Sequence, residues 1–334
     1  MLRDNQSVGW YRSPLQRETM RELNRRSDWK GLLQVGAHLS LLLLTGSLVW
    51  YAVGHWSWWT LPPLLFVYGT FYAFLLNASH ELSHGTVFRT RFLNAFFLRL
   101  FCFLGWRNHV MFWKSHAEHH KYTLRPPDDL EVTLPVPVRL GEFLKFAIVD
   151  VWRFCETLRE TIRFSMGKLE GTWENHLFAS PDVKDFRQLI NWSRFLLAGH
   201  VTIVAASIYF ELWLVPVLTT FASFYGGWLR YLCNNTQHAG LQDNVSDFRL
   251  CCRTVVLSPF ARFLYWHMNY HIEHHMYVAV PCYNLGKLHA LIKHELPDSP
   301  RGLLAAWRQI VAIVKRQKEQ PDYRHVPDFS DPVT

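Results

Sequence analysis

Charge is missing from two long windows of this 334-residue sequence. No Lys, Arg, Asp or Glu occurs between Gly31 and His80, and Glu211 alone interrupts the run from Phe195 to Trp228. Runs of this kind argue against an ordinary soluble domain, whose surface helices carry a polar face on every turn. Cysteine is sparse: Cys102, Cys155, Cys233, Cys251, Cys252 and Cys282 form no CxxC pair. That excludes a zinc-ribbon or Cys-rich iron–sulfur motif. The cysteines are read as free thiols facing a reducing compartment. The vicinal pair Cys251–Cys252 is read as ordinary packing, with a metal or redox feature as the alternative. No GxGxxG fingerprint of a bound dinucleotide is present. The first thirty residues lack an apolar centre, so a signal peptide is not expected. No lipidation signature stands out, and no repeat of fixed period runs along the chain.

What is present divides sharply. Hydrophobic residues make up 49% of the chain and aromatics 16%, yet mean hydropathy is near zero, so very apolar and very polar parts alternate. A transmembrane helix needs about 20 apolar residues. Leu32–Val53 supplies one span, and Trp58–Ala78 a second, with Pro62–Pro63 in its first turn, where proline is tolerated. Phe195–Leu232 is long enough for two more, with Glu211 at the far turn and Pro216 starting the second leg. Residues 1–30 carry seven Lys or Arg, whereas the loops at Gly54–Ser57 and Glu211–Trp213 have none. The positive-inside rule places both termini and both long polar segments in the cytosol.

Two apolar pieces interrupt the first polar segment. Phe92–Gly105 is too short to cross and is expected to lie in the membrane plane or re-enter. Phe143–Phe164 has helical apolar spacing with charges between and is expected on the membrane surface. Pro126–Pro127–Asp128–Asp129 and Pro135–Val136–Pro137 mark irregular chain. The net charge of +8 suits basic loops on anionic headgroups and the docking of an acidic electron carrier. No nucleic-acid motif accompanies it.

Half of the 18 histidines fall into four tight groups: His80-Glu-Leu-Ser-His84, His116-Ala-Glu-His119-His120, Asn234-Asn-Thr-Gln-His238 and His271-Ile-Glu-His274-His275. Spacings of three and four put side chains on one helix face, about 5–6 Å apart at Cβ. Pairs so placed can converge on one metal ion or on neighbouring ones, and neutral imidazole suits Fe, Zn, Cu and Ni. His80-Glu81-x-x-His84 alone also matches a zinc protease, but that reading needs one further ligand and leaves six histidines unexplained. A metal transporter would bury ligands near the bilayer midplane, where these spans have almost none. Glu81, Glu118 and Glu273 neighbour the grouped histidines and are candidates to orient imidazoles through their second N–H. His267, four residues before His271, is read as a supporting or packing residue. His109, His176, His38, His55 and His200 are read as structural or as belonging to spans and their ends.

The boxes HxxxH, HxxHH and HxxHH, with Asn-x-x-x-His before the last, resemble the membrane fatty acid desaturase and hydroxylase family. The similarity runs from about the second span to Leu296. Around Gln237–His289, the wording QHAGL and NYHIEHHMYVAVPCYNLGKLH also resembles a bacterial branch linked to rhizopine catabolism. The resemblance implies two Fe2+ ions held by His80, His84, His116, His119, His120, His238, His271, His274 and His275, with Asn234 reaching iron through a water. It further implies O2 as co-substrate and two electrons from a separate ferredoxin, Rieske protein or cytochrome b5. The outcome is an alkene from a fatty acyl chain, or an alcohol if the enzyme hydroxylates a lipid or small metabolite. Three residues rather than four separate His80 and His84, which weakens a specific acyl-CoA substrate. Trp106, Phe112, Trp113, Tyr265 and Trp266 are candidates to line a slot for a hydrophobic substrate.

The expected fold is an all-α integral membrane protein with four transmembrane helices in two hairpins and a cytosolic helical cap holding a histidine-rich di-metal site. Its segments are a cytosolic N-terminus (1–30), hairpin one (31–78), interfacial helices with the first two boxes (79–194), hairpin two (195–232), the cap (233–314) and a flexible tail (315–334). A multi-pass location follows, in the inner membrane if the source is bacterial.

Overall fold

The computed structural model describes residues 8–136, 140–179, 183–321 and 323–329. Pro137 and, within the expected tail, residues 322 and 330–334 lie outside them. Among the described residues there is no β-strand, and backbone pairing across the chain is limited to isolated bridges. The chain forms two compact units: an apolar unit within 27–113 and 138–231, and a polar unit within 1–26, 114–137 and 232–334.

The apolar unit contains three helical stretches long and apolar enough to cross a membrane: Asp28–His55, Trp58–Ser83 and Val183–Tyr209. The first starts at Ser27, whose hydroxyl accepts from the Lys30 N–H, and its 28 residues rise about 42 Å, more than the ~30 Å hydrocarbon core. Leu43 and Leu44 on it are each 70% exposed, a waste of apolar area in water and the expected face toward lipid. In the second stretch Pro62 and Pro63 occupy the first turn, and the helix tightens at Phe74. The third begins 12 residues before the expected start at Phe195, so Lys184, Asp185 and Arg187 ride on its first turns.

The expected fourth crossing is not one continuous helix. Leu214–Leu218, a 3-10 turn at Ala222–Phe224 and Trp228–Asn234 take its place. Gly226 between them has a left-handed φ of 67°, and a Cβ there would lie 2.7 Å from the Phe66 carbonyl. Broken backbone at membrane depth must have its polar groups satisfied by protein. Four consecutive carbonyls are met by side chains: Tyr225 Oη donates to Val217 O (3.0 Å), Tyr68 Oη to Leu218 O (2.6 Å), Tyr72 Oη to Thr219 O (3.0 Å) and Trp106 Nε1 to Thr220 O (2.7 Å). Hydrophobic patterning reports apolar length, and is silent about where donors such as these let a helix break.

Arg91–Leu104 is a 14-residue helix, too short to cross, in keeping with the sequence. The amphipathic stretch expected as one helix is two, Leu140–Ala147 and Val151–Ser165. Asp150 breaks it: its carboxylate caps the second helix at Arg153 N (2.9 Å), and its own N–H donates to Phe224 O (2.7 Å).

In the polar unit the N-terminal segment is packed against the rest. Trp10 stacks on Phe248 at 4.1 Å and donates from Nε1 to Lys121 O, while Asn284 Nδ2 donates to Leu23 O. The last helix, Leu303–Glu319, buries Ala306, Ile310 and Ile313 and continues five residues into the stretch expected as tail.

Gly69 approaches Tyr225 so closely that a Cβ would sit 2.5 Å from its ring and from its carbonyl, whereas a Cβ at Gly36 meets nothing within 4 Å. Gly69→Ala should therefore destabilise the detergent-solubilised protein by about 1–3 kcal/mol, as overpacking does. Gly36→Ala should leave its thermal midpoint unchanged or slightly higher.

Candidate metal centre

The polar unit gathers seven of the grouped histidines. His116, His119 and His120 project from the helix His109–Tyr122, and His271, His274 and His275 from the six-residue helix His271–Met276. His238 follows one turn after Asn234, the last residue of the helix Trp228–Asn234. Arg253 holds that turn. Its N–H donates to Gln237 O (2.8 Å), and its buried guanidinium donates from Nη1 to Thr236 O (2.7 Å) and Ala239 O (3.0 Å).

Hydrogen bonds fix which ring nitrogen of these imidazoles faces inward. His116 Nδ1 donates to Glu131 Oε1 and His119 Nδ1 to Asp129 Oδ2, both at 2.8 Å, and His238 Nδ1 donates to Cys251 O at 2.7 Å. Thr123 Oγ1 gives its proton to His119 O (2.6 Å) and so accepts from His275 Nδ1 (3.2 Å). A carbonyl or ionised carboxylate can only accept. Each of these Nδ1 atoms therefore carries the hydrogen, and each Nε2 presents a lone pair.

Those lone pairs converge. His271 Nε2 lies 2.9 Å from His238 Nε2 and 3.2 Å from His275 Nε2, and His116 and His120 approach at 2.9 Å through the same atoms. One hydrogen on His271 Nε2 satisfies one neighbour and leaves the other approach lone pair against lone pair. The His271 Nδ1 atom is buried, without a hydrogen-bond partner among the described residues. A divalent cation in each group would accept these lone pairs and relieve the close approaches. Ligand atoms of His238, Cys252, His271 and His275 lie within 4.8 Å of one another, as do those of His116, His120 and His274. The residues fit a metal.

Burial keeps the donors in their metal-binding form. It pushes His238 and His274 down to about 3, so both are neutral at pH 7. At His119 burial acts the same way, but the hydrogen bond and charge of Asp129 outweigh it and raise the imidazole. At Glu131 burial favours the acid form, and the charge and hydrogen bond of His116 overcome it and hold the carboxyl at about 2.

The apolar unit holds the first box. His80 and His84 end the helix Leu75–Ser83, with His84 at its C-cap and ring centroids 5.0 Å apart. Glu81 is buried, with Oε1 3.0 Å from His80 Nδ1. Arg107 donates to Leu76 O (2.7 Å) and Ser79 Oγ (2.9 Å) in the turn before His80, and its guanidinium lies 4.1 Å over the Phe112 ring.

The remaining candidates separate. Glu273 is fully buried and ties its helix to two other segments: it accepts from Thr254 Oγ1 and His289 Nδ1, each at 2.5 Å. Glu118 is half-buried and makes no hydrogen bond to a histidine among the described residues. His267 follows Trp266 in a left-handed turn (φ 59° and 54°) leading into His271–Met276. Trp106 stacks on His200 at 3.9 Å, while Phe112 and Trp113 stand 6.0 and 5.9 Å from His80 and His84. Tyr265 and Trp266 are fully buried in the polar unit. A cavity of about 520 Å3 in the apolar unit is lined by Trp50, Tyr51, His55, Glu211 and Trp213 among others, none of the five slot candidates.

Sequence reasoning missed Asp129, Glu131, Thr123, Arg253 and the Cys251 carbonyl. The two acids lie 9 and 11 residues beyond His120, in a proline-marked stretch read only as irregular chain. An acid pair soon after a histidine box is the signal that was there. Carboxylates that orient ligand imidazoles are typically worth about 10–100-fold in metal affinity. Glu131→Ala should weaken metal binding by roughly that factor, measured by competition with a chromophoric chelator.

Comparison with known proteins agrees with this chemistry. Residues 56–307 match the family described as fatty acid desaturase. A "Sphingolipid delta(4)-desaturase DES1-like" protein of Oryza sativa subsp. japonica is 24% identical over 293 residues, covering 85% of this chain and 78% of that protein. With its histidine clusters and apolar helices, the chain belongs to the fatty acid desaturase family of membrane oxidoreductases acting in lipid metabolism.

Proposed function

We propose that the protein is an O2-dependent desaturase that introduces a double bond into a fatty acyl chain at a site holding two Fe2+ ions. One observation carries the reading: buried imidazoles converge through Nε2, with Nδ1 tied back to Asp129, Glu131, Thr123 and the Cys251 carbonyl. His116, His119, His120, His238, His271, His274 and His275 supply seven ligands, His80 and His84 the other two, and Asn234 acts through a water. When bound, the ions and O2 supply the oxidising power that no side chain possesses. The chain keeps His238 and His274 neutral, holds the tautomers of His116, His119, His238 and His275, and buries these rings from water. Phe112 and Trp113 are the best-supported slot residues because they stand beside His80 and His84. Trp106, Tyr265 and Trp266 have the weaker claim.

The rice relative's name supports a lipid-borne acyl chain as the substrate class. The likeness of Gln237–His289 to the rhizopine-linked branch supports a second reading, hydroxylation or desaturation of a small amine or sugar-like metabolite on the same site. The broken segment from Leu214 to Asn234 serves as the fourth crossing. Two hairpins then leave both termini and the histidine cap in the cytosol, as the basic residues require. The electrons come from a separate ferredoxin, Rieske protein or cytochrome b5 docking on the basic cytosolic face.

The test compares lipids and metabolites by mass spectrometry in cells carrying a matched electron donor and either wild type or His274→Ala. A wild-type product lacking two hydrogens, absent from the variant, supports desaturation, and a product gaining one oxygen supports hydroxylation. No new product, with iron loading confirmed, contradicts the acyl-lipid reading. Turnover by the purified protein with NAD(P)H and O2 alone would contradict the need for a separate donor.

A further inference from the structure

Cys251 and Cys252 close the short helix Phe248–Cys251, and both bear on the metal centre. The Cys251 carbonyl accepts from His238 Nδ1 at 2.7 Å and turns the Nε2 of that ring inward. The next backbone link, Arg253 N to Gln237 O at 2.8 Å, ties the same segment to the His238 turn. Between these two anchors Cys252 has little freedom. Its side chain is 2% exposed, and its sulfur joins one nitrogen each of His238, His271 and His275 in a group whose ligand atoms lie within 4.8 Å of one another.

We propose that Cys252 is a thiolate ligand to the ion held by His238, His271 and His275. The inference rests on the metal-centre reading above and adds a donor that the histidine motifs do not contain. Metal–sulfur bonds of about 2.3 Å and metal–nitrogen bonds of about 2.0–2.1 Å, the lengths typical of zinc sites, put opposite ligand atoms roughly 4.3 Å apart across a common ion. A span of 4.8 Å is therefore near bonding dimensions. The lone pairs of His238 and His275 Nε2 both meet His271 Nε2 there, and His271 adds a buried Nδ1 with no hydrogen-bond partner among the described residues. A packing thiol would not answer that need. As the metal–sulfur bond forms, the Cys252 proton leaves to solvent. The thiolate then offsets one positive charge in a site otherwise built of neutral imidazoles. Cys251 does not share this role: its sulfur lies 3.9 Å from Cys252 Sγ and 3.9 Å from Phe248 O, outside the ligand group.

The test reconstitutes the full-length, detergent-solubilised protein with Co2+ alone and reads metal content together with the near-ultraviolet spectrum. Wild type is expected to bind two ions and show a thiolate-to-cobalt charge-transfer band. Cys252→Ser should lose that band, and Cys251→Ser should keep it. Two bound ions without the band in wild type would overturn the proposal and leave the two-metal reading standing. Loss of the band in Cys251→Ser with its retention in Cys252→Ser would also overturn it. No cobalt uptake by wild type would overturn both readings. Should Cys252→Ser fail to fold, the wild-type spectrum and Cys251→Ser still decide.

Discussion

The centre depends on burying many imidazoles together without charging them. In a low-dielectric interior a cluster of protonated rings would repel itself and lose its hydration. A cluster of neutral rings has a different difficulty, because lone pairs face one another. The structure handles the first problem through burial, which holds His238 and His274 near 3. It handles orientation by giving His116, His119, His238 and His275 an acceptor behind Nδ1. The second problem remains in the protein alone, where an unsatisfied buried polar group costs about 1–3 kcal/mol. Metal binding removes that cost, so ligand affinity and unit stability are one quantity seen twice.

The membrane sets a parallel rule in the apolar unit. Backbone away from water must be satisfied within the protein. Three stretches obey it as helices. The segment after Glu211 obeys it by meeting the carbonyls of Val217, Leu218, Thr219 and Thr220 with three tyrosines and a tryptophan. The contact of Gly69 with Tyr225 and the left-handed Gly226 lets the broken segment lie close to the second apolar stretch.

Much of this was legible in the sequence because the signals are periodic. Charge-free runs gave the helices at Asp28–His55 and Trp58–Ser83, and box spacing gave the imidazoles that converge in the polar unit. Non-periodic features were not legible. Apolar length made Leu212–Leu232 look like a helix, although Pro216 and the Gly226–Gly227 pair within it are local breaker signals. Asp150 looked like one charge on an amphipathic face and is instead the cap that splits it. Asp129 and Glu131 reach the histidines through tertiary folding of an irregular loop, as the Cys251 carbonyl does from a separate segment. Glu273, next to His274 in sequence, turns its carboxylate to Thr254 and His289 on other segments, a partnership that sequence adjacency does not report.

Elemental analysis of the purified, iron-replete protein tests the central claim most directly. Two irons per chain, with stoichiometric loss when His116 and His274 are both replaced by alanine, is the predicted result. One zinc per chain, or no bound metal in folded protein, would contradict it.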